Sequence, residues 1–94
     1  MRLQFEWDKT KALNNIKKHH ISFEEACTIF ADPNALTIVD SSHSDNELRE
    51  ITIGLSKKIT LAVVCHTDRN GRIRIISARK ATKNEKFQYM ENSK

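Results

Sequence analysis

Leu3, Phe5 and Trp7 alternate with Gln4 and Glu6 at the start of the chain, the period-two pattern of a short strand with one buried face. Asp8 follows as an N-cap, because its carboxylate can accept from the free amides of a first helical turn. Ala12, Leu13 and Ile16 then fall at helical spacing, which predicts a helix from about Lys9 to Lys18. The stretch SFEE, Ser22 to Glu25, has the form of a capping box. It predicts a second helix that buries Phe23, Ala26, Cys27, Ile29 and Phe30 and stops at Asp32-Pro33. After Pro33 the pattern changes period, and a polar loop, DSSHSDNE, separates the first of four apolar segments from the other three. ALTIV, ELREITIGL, ITLAVVCHT and RIRIISAR are rich in Ile, Val and Thr and read as four strands. Asn70-Gly71 joins the last two, since both residues accept the positive φ of a tight hairpin. TKNE, Thr82 to Glu85, is a second capping box and opens a helix that carries Phe87 and Met90. One strand, two helices, four strands and a helix describe an α+β domain: an antiparallel meander with two N-terminal helices and one C-terminal helix.

Length sets the scale of this domain. Ninety-four residues with 38% hydrophobic content support one modest core, so residues 1–94 are expected to form a single domain. No apolar run is long enough to span a bilayer, and MRLQFEWDK lacks the apolar stretch of a signal peptide. A cytoplasmic protein with no membrane partner is the expectation. Cys27 and Cys65 have neither metal-site spacing nor the density of a disulfide scaffold, and both read as reduced thiols.

Charge divides the chain in two. Residues 1–50 carry six Lys or Arg against nine Asp or Glu, whereas residues 51–94 carry ten against three. The second half therefore offers a cationic face suited to a polyanion. Metal chemistry finds little support: His19, His20, His43 and His66 lack ligand spacing, and the cluster Asp40, His43, Asp45, Glu47 reads as a solvated acidic loop. No metal and no cofactor are expected. Cys65 and His66 are neighbours on a strand, so they point to opposite faces and cannot act as a nucleophile and base pair. Cys65 shares parity with Leu61 and Val63 and reads as core.

Cleavage of RNA asks less of a protein, because the 2′-hydroxyl can be the nucleophile. The protein supplies a base, an acid and cations for the charge that builds on phosphate. Arg72 and Arg74 alternate with Ile73 and Ile75; Arg79 falls on the other parity unless a bulge intervenes. With Lys80 it sits just before the helix that opens at Thr82, and that junction is the leading phosphate site. His66 titrates near neutrality and is a candidate acid or base. Tyr89 is the only tyrosine and could stack on a base or give up a proton. Arg69 and Arg74 are candidate RNA contacts. Glu85 is explained by its capping box and receives no catalytic role.

Four blocks, FEWDKTKALNNIKKHHISFEEA, FADPNALTIVDSSHSD, ELREITIGL and RIRIISARKATKNEKFQY, resemble in order and over nearly the whole chain the BrnT family of bacterial toxins. The resemblance implies a RelE-like fold, endoribonuclease activity that inhibits translation, and a cognate BrnA antitoxin. That antitoxin carries a ribbon-helix-helix part, through which the complex binds operator DNA; a homodimer or a heterotetramer with the antitoxin is the implied assembly. Carried over by position, Arg79 and Lys80 stand where RelE-like toxins hold an essential arginine, Tyr89 matches the aromatic of the last helix, and Arg49 is a recurring position. His20 departs from the family, which places a helix-capping glycine there, and predicts a left-handed residue at a cost of about 1 kcal/mol. The alternative to a nuclease is a non-catalytic nucleic-acid or partner-binding module acting as co-repressor with the antitoxin. A weaker one is a structural partner whose cationic face neutralises an acidic antitoxin segment.

Overall fold

Four of the five strands follow one another as an antiparallel meander. β2 (Leu36–Val39), β3 (Arg49–Leu55), β4 (Leu61–Arg69) and β5 (Arg72–Lys80) are each paired with the next. The computed structural model describes residues 2–43 and 46–93. Asn70 and Gly71 turn β4 into β5 with φ of 54° and 81°, the positive values that this hairpin requires. β1 (Phe5–Glu6) is shorter than the alternation predicts and lies beside β5 in parallel, with Phe5 opposite Ile73 and Glu6 opposite Arg74. The sheet order is therefore β1-β5-β4-β3-β2, and the sheet is mixed rather than wholly antiparallel. The parallel pair follows from the connection, since α1 (Lys9–His19) and α2 (Phe23–Cys27) pass over one face before the chain enters the meander at the far edge.

Both N-terminal helices begin at the residues the sequence indicates. Asp8 accepts from the Lys11 amide at 3.0 Å, and Ser22 Oγ accepts from the Glu25 amide at 3.0 Å. Glu25 does not complete its box. Its carboxylate instead accepts from Ser56 Oγ at 2.7 Å, which ties α2 to the turn between β3 and β4. α2 gives way at Thr28 to a 3-10 turn, Thr28–Ala31, so the helix is shorter than the pattern predicts. His20 closes α1 in the left-handed region (φ 61°) and donates its amide to the Ile16 carbonyl.

The core lies between this helical layer and one face of the sheet: Ile21, Phe23, Ala26 and Ile29 against Ala62, Val64, Ile75 and Ala78. Gly54 lets the layers meet, because a Cβ there would come within 3.0 Å of Ile29 Cβ and 3.1 Å of its carbonyl oxygen. α1 departs from its apolar pattern. Leu13 and Ile16 are 63% and 42% exposed, while Asn15 is buried. Its side-chain amide donates to the carbonyls of Ile21 (2.9 Å) and Ala78 (2.8 Å) and accepts from the Ala78 amide (3.1 Å). β1 covers only two positions of β5, so the edge at Ala78 needs a donor and an acceptor, and a carboxamide supplies both.

α3 (Lys83–Asn92) starts at a complete capping box between Thr82 and Glu85 and packs against β3. It buries none of its residues. Tyr89 fastens it, donating to Asp32 Oδ2 at 2.6 Å. No helix among the described residues is long and apolar enough to cross a membrane.

Asn15→Ala leaves two buried backbone groups at Ala78 without partners. It is expected to lower stability by about 3 kcal/mol in chemical denaturation, with the baseline circular dichroism of the fold retained.

Candidate active site

Residues directly opposite across antiparallel strands share a face, which lets the outer face of the sheet be read rung by rung. Arg69 stands opposite Arg72, Thr67 opposite Arg74 and Arg49, Cys65 opposite Ser77 and Ile51, and Val63 opposite Arg79 and Ile53. A simple alternation would put Arg79 on the other face from Arg74. The register shifts between Cys65 and His66, and Ile76 is the extra residue on β5. A bulge of this kind adds one residue and re-aims everything after it. It brings Arg79 onto the face that carries Arg49, Arg69, Arg72 and Arg74.

On that face lies an open cavity of about 310 Å³, lined by Asp40, Arg49, Ile51, Val63, Cys65, Ile76, Ser77 and Arg79. The floor is apolar and the walls are charged. Arg79 is held by Glu85 through two parallel bonds, Nη1 to Oε1 at 2.7 Å and Nη2 to Oε2 at 2.8 Å, with a further bond from Nη1 to the Lys80 carbonyl at 3.3 Å. A guanidinium has five donors, so two remain for a phosphate. The paired Arg79 and the amide of Thr82 hold the Glu85 carboxyl down at about 2, while the pair raises Arg79 further. This ion pair therefore persists above the ordinary carboxylate value of 4.5 and is lost only as pH falls toward about 2. Glu85 thus has two roles, capping α3 and orienting Arg79, of which the capping-box pattern revealed one.

The other predicted residues take different places. Arg49 lies at the cavity wall, 3.9 Å from Glu47, and Arg69 pairs with the same Glu47 at 3.0 Å. Arg74 pairs with Glu6 at 2.9 Å across the β1–β5 edge. Lys80 points away from the cavity, opposite Ala62. His66 is not brought to the site. It is buried in the face under the helices, bonded through Nε2 to Thr52 Oγ1 at 2.7 Å and set edge-on to Phe30 at 4.9 Å. Tyr89 also lies outside the cavity, and its bond to Asp32 pushes the phenol up to about 12. Burial would raise the Asp32 carboxyl, but the bonds from Tyr89, Leu55 and Asn34 hold it low.

Cys65 reverses the sequence expectation. The buried face is the one with Ala62, Val64 and His66, so Cys65 faces the cavity and is half-buried. Burial, with Asp40 nearby, raises its thiol above the ordinary value, which keeps it protonated near neutrality. Burial raises Cys27 to about 11. Sequence reasoning treats Asp40 only as part of an acidic loop, yet it is the one carboxylate among the described residues that lines the cavity. Its signal would have been its position at the end of β2, next to Arg49: the Asp40 amide donates to the Arg49 carbonyl at 2.8 Å. Among the described residues no three His, Cys, Asp or Glu side chains cluster as metal ligands; Asp45 lies outside the described residues.

Residues 7–85 match the family described as ribonuclease toxin, BrnT, of type II toxin-antitoxin systems. The chain belongs to that BrnT family. The crystal structure of the Brucella abortus ribonuclease toxin, BrnT, superposes with a TM-score of 0.66 at 20% identity, covering 87% of this chain and all of that one. At that identity the likeness concerns the fold, a five-stranded mixed sheet with three helices. No curated protein sequence matches the chain. In BrnT terms, the second basic half of the chain supplies most of the charged face, and the acidic first half supplies the scaffold and Arg49.

The burial of His66 lowers its pKa, opposed only by Glu50. The unfolded chain therefore binds the proton first, and stability is intact above the ordinary value of 6.5 and lost as pH falls below it. Thermal midpoints measured from neutrality down to about pH 5 should fall for the unmodified protein and flatten in His66→Gln, which keeps a partner for Thr52.

Proposed function

We propose that this BrnT-family chain is a metal-independent endoribonuclease toxin that inhibits translation in the cytoplasm and is neutralised by a cognate BrnA-type ribbon-helix-helix antitoxin. The observation that carries it is the convergence of Arg79, fixed by Glu85, and Arg49 on one apolar-floored cavity. Two arginines bracketing a phosphate supply, without a metal ion, the positive charge that cleavage needs. The 2′-oxygen forms a bond to phosphorus, the bond from phosphorus to O5′ breaks, and the products are a 2′,3′-cyclic phosphate and a 5′-hydroxyl. The proton lost by the 2′-hydroxyl goes to Asp40, the carboxylate in the wall; the leaving oxygen takes one from solvent or from an arginine-bound water. Arg74 and Arg69, paired with Glu6 and Glu47 at the edges of the same face, extend the surface toward the flanking RNA, and Lys80, aimed away from that face, meets RNA only beyond the end of β5. His66 and Tyr89, the proton carriers expected from the sequence, have no place in this arrangement, because neither lines the cavity, whereas Asp40 does, with Oδ1 accepting from Ser42 Oγ at 2.8 Å. Antitoxin binding is read as covering the cationic face, and operator DNA would be reached through the antitoxin in a complex of two or four chains.

The engagement of His66 and Tyr89 away from the cavity favours one competing reading, a non-catalytic module that acts with the antitoxin as co-repressor. Incubation of purified protein with a defined RNA in EDTA separates the two. The nuclease reading expects fragments with cyclic phosphate ends, with a rate reduced at least about 100-fold in Arg79→Ala and antitoxin binding preserved. Equal fragmentation by the variant, or intact RNA both in buffer and in a translating extract, would overturn it.

A further inference from the structure

The turn between β3 and β4 holds a residue that the fold does not explain. Ile59 has φ of 63°, a conformation that is an outlier for a β-branched side chain. It is also 77% exposed, so it returns little packing for that strain. The backbone is fixed from several directions. The Ile59 amide donates to the Ser56 carbonyl (2.9 Å) and the Ser56 amide to the Thr60 carbonyl (2.8 Å). Ser56 Oγ accepts from the amides of Lys58 and Thr60 and donates to Glu25, while the Lys57 amide donates to Thr28 Oγ1 at 2.8 Å. This is where Glu25 goes instead of completing its own capping box. Strain that the surroundings over-determine, at an exposed apolar tip, points to a binding role.

Beside Ile59 is a second pocket of about 300 Å³, lined by Ile59, Thr60, Leu61, Lys80, Ala81 and Lys86. One side is apolar and the other carries two ammonium groups. Lys57 and Lys58 stand in the same turn and Lys83 in the first turn of α3. None of these five lysines has an ion-pair partner among the described residues. One peptide separates the residues of the two cavities: Lys80, which lines this pocket, follows Arg79, which lines the candidate active site and bonds the Lys80 carbonyl through Nη1.

We propose that the pocket of Ile59, Leu61, Lys80 and Lys86 is a second nucleotide subsite, holding the base and phosphate of an RNA residue that flanks the one at Arg79. The inference rests on the ribonuclease reading for its ligand. A base has an apolar face for Ile59 and Leu61, and its phosphate meets Lys80 and Lys86 as the strand leaves the outer face over the end of the sheet. A space of this size is at the small end of ligand pockets, which suits one nucleotide. The arrangement makes Ile59 a positioning residue for substrate rather than part of the folding core.

The test uses a single-stranded oligonucleotide, 2′-O-methylated throughout so that it cannot be cleaved, bound to the full chain and followed by fluorescence anisotropy over a salt series. In Lys86→Ala the slope of log affinity against log salt should become shallower by about 0.7, the value for one lost phosphate contact on a single strand. Ile59→Asn should keep the slope and weaken binding about fivefold, as expected when roughly half an isoleucine side chain loses its burial. Its thermal midpoint should be unchanged or higher, because Asn tolerates the left-handed backbone. Lys17→Ala, on α1 across the sheet, is the control that should change neither. Affinity and slope unaltered in both variants would overturn the subsite, as would failure of the unmodified chain to bind the oligonucleotide. So would normal RNA binding by variants that lose an acidic antitoxin peptide, which would assign the pocket to protein. Loss of binding in the variants, with no cleavage of ordinary RNA by the unmodified chain, would support the subsite and sink the nuclease reading alone.

Discussion

The bulge at Ile76 is the constraint on which the reading of the outer face depends. Without it, Arg79 would continue the parity of Ile73 and Ile75 and aim a guanidinium into the helical core, where desolvation would cost several kcal/mol. One extra residue puts Ile75 and Ala78 in the core and Arg74, Ser77 and Arg79 outside. The position is supported from both edges of β5. β4 pairs along one side, and the Asn15 carboxamide takes the place of a neighbouring strand at Ala78 on the other. A polar side chain buried in α1 thus contributes directly to where an arginine on the opposite face of the sheet is held.

The two faces of the sheet divide the work. The inner face carries the buried core and includes His66, hydrogen-bonded to Thr52 and with its pKa lowered by burial. The outer face is lightly covered, since α3 buries none of its own residues and is held by two polar attachments, Glu85 to Arg79 at its start and Tyr89 to Asp32 about one turn later. Glu85 couples the helix to the proposed site: the carboxylate in the capping box that starts α3 also holds Arg79 through two bonds. Cations that catalyse by charge must be held in place before substrate arrives, and a bidentate carboxylate does this while leaving donors free.

Much of the fold is legible in the sequence because the signals are local. Asp8, Ser22 and Thr82 are caps where the residue types require caps, and Asn70-Gly71 is the hairpin its backbone preferences dictate. Helix α1 is legible in extent but not in orientation, since the apolar residues Leu13 and Ile16 point outward and Asn15 points in; the reason is a backbone edge 63 residues away. The site is legible in charge and in Arg79, but not in its partners. A bulge is invisible to parity counting, which hides the face of Arg79; Cys65 and His66 lie on the uninterrupted β4, where both parities are apolar, Leu61 and Val63 against Ala62 and Val64, so alternation alone does not say which face meets the helices. Asp40 and Glu85 each carry a local explanation, a loop and a cap, that hides a second position: Asp40 in the cavity wall and Glu85 on the guanidinium of Arg79, six residues before it.

The central claim is that the outer face, centred on Arg79, receives RNA while the helical face does not. Its most direct test is a titration of the isotope-labelled chain with a single-stranded DNA oligonucleotide, which lacks the attacking 2′-hydroxyl, followed by amide chemical shifts. The account predicts that Asp40, Arg49, Ile76, Ser77 and Arg79 respond, with Asn15, Phe30 and the α1 amides unmoved. Perturbations centred on α1 and α2, with the Arg79 rung silent, would contradict it.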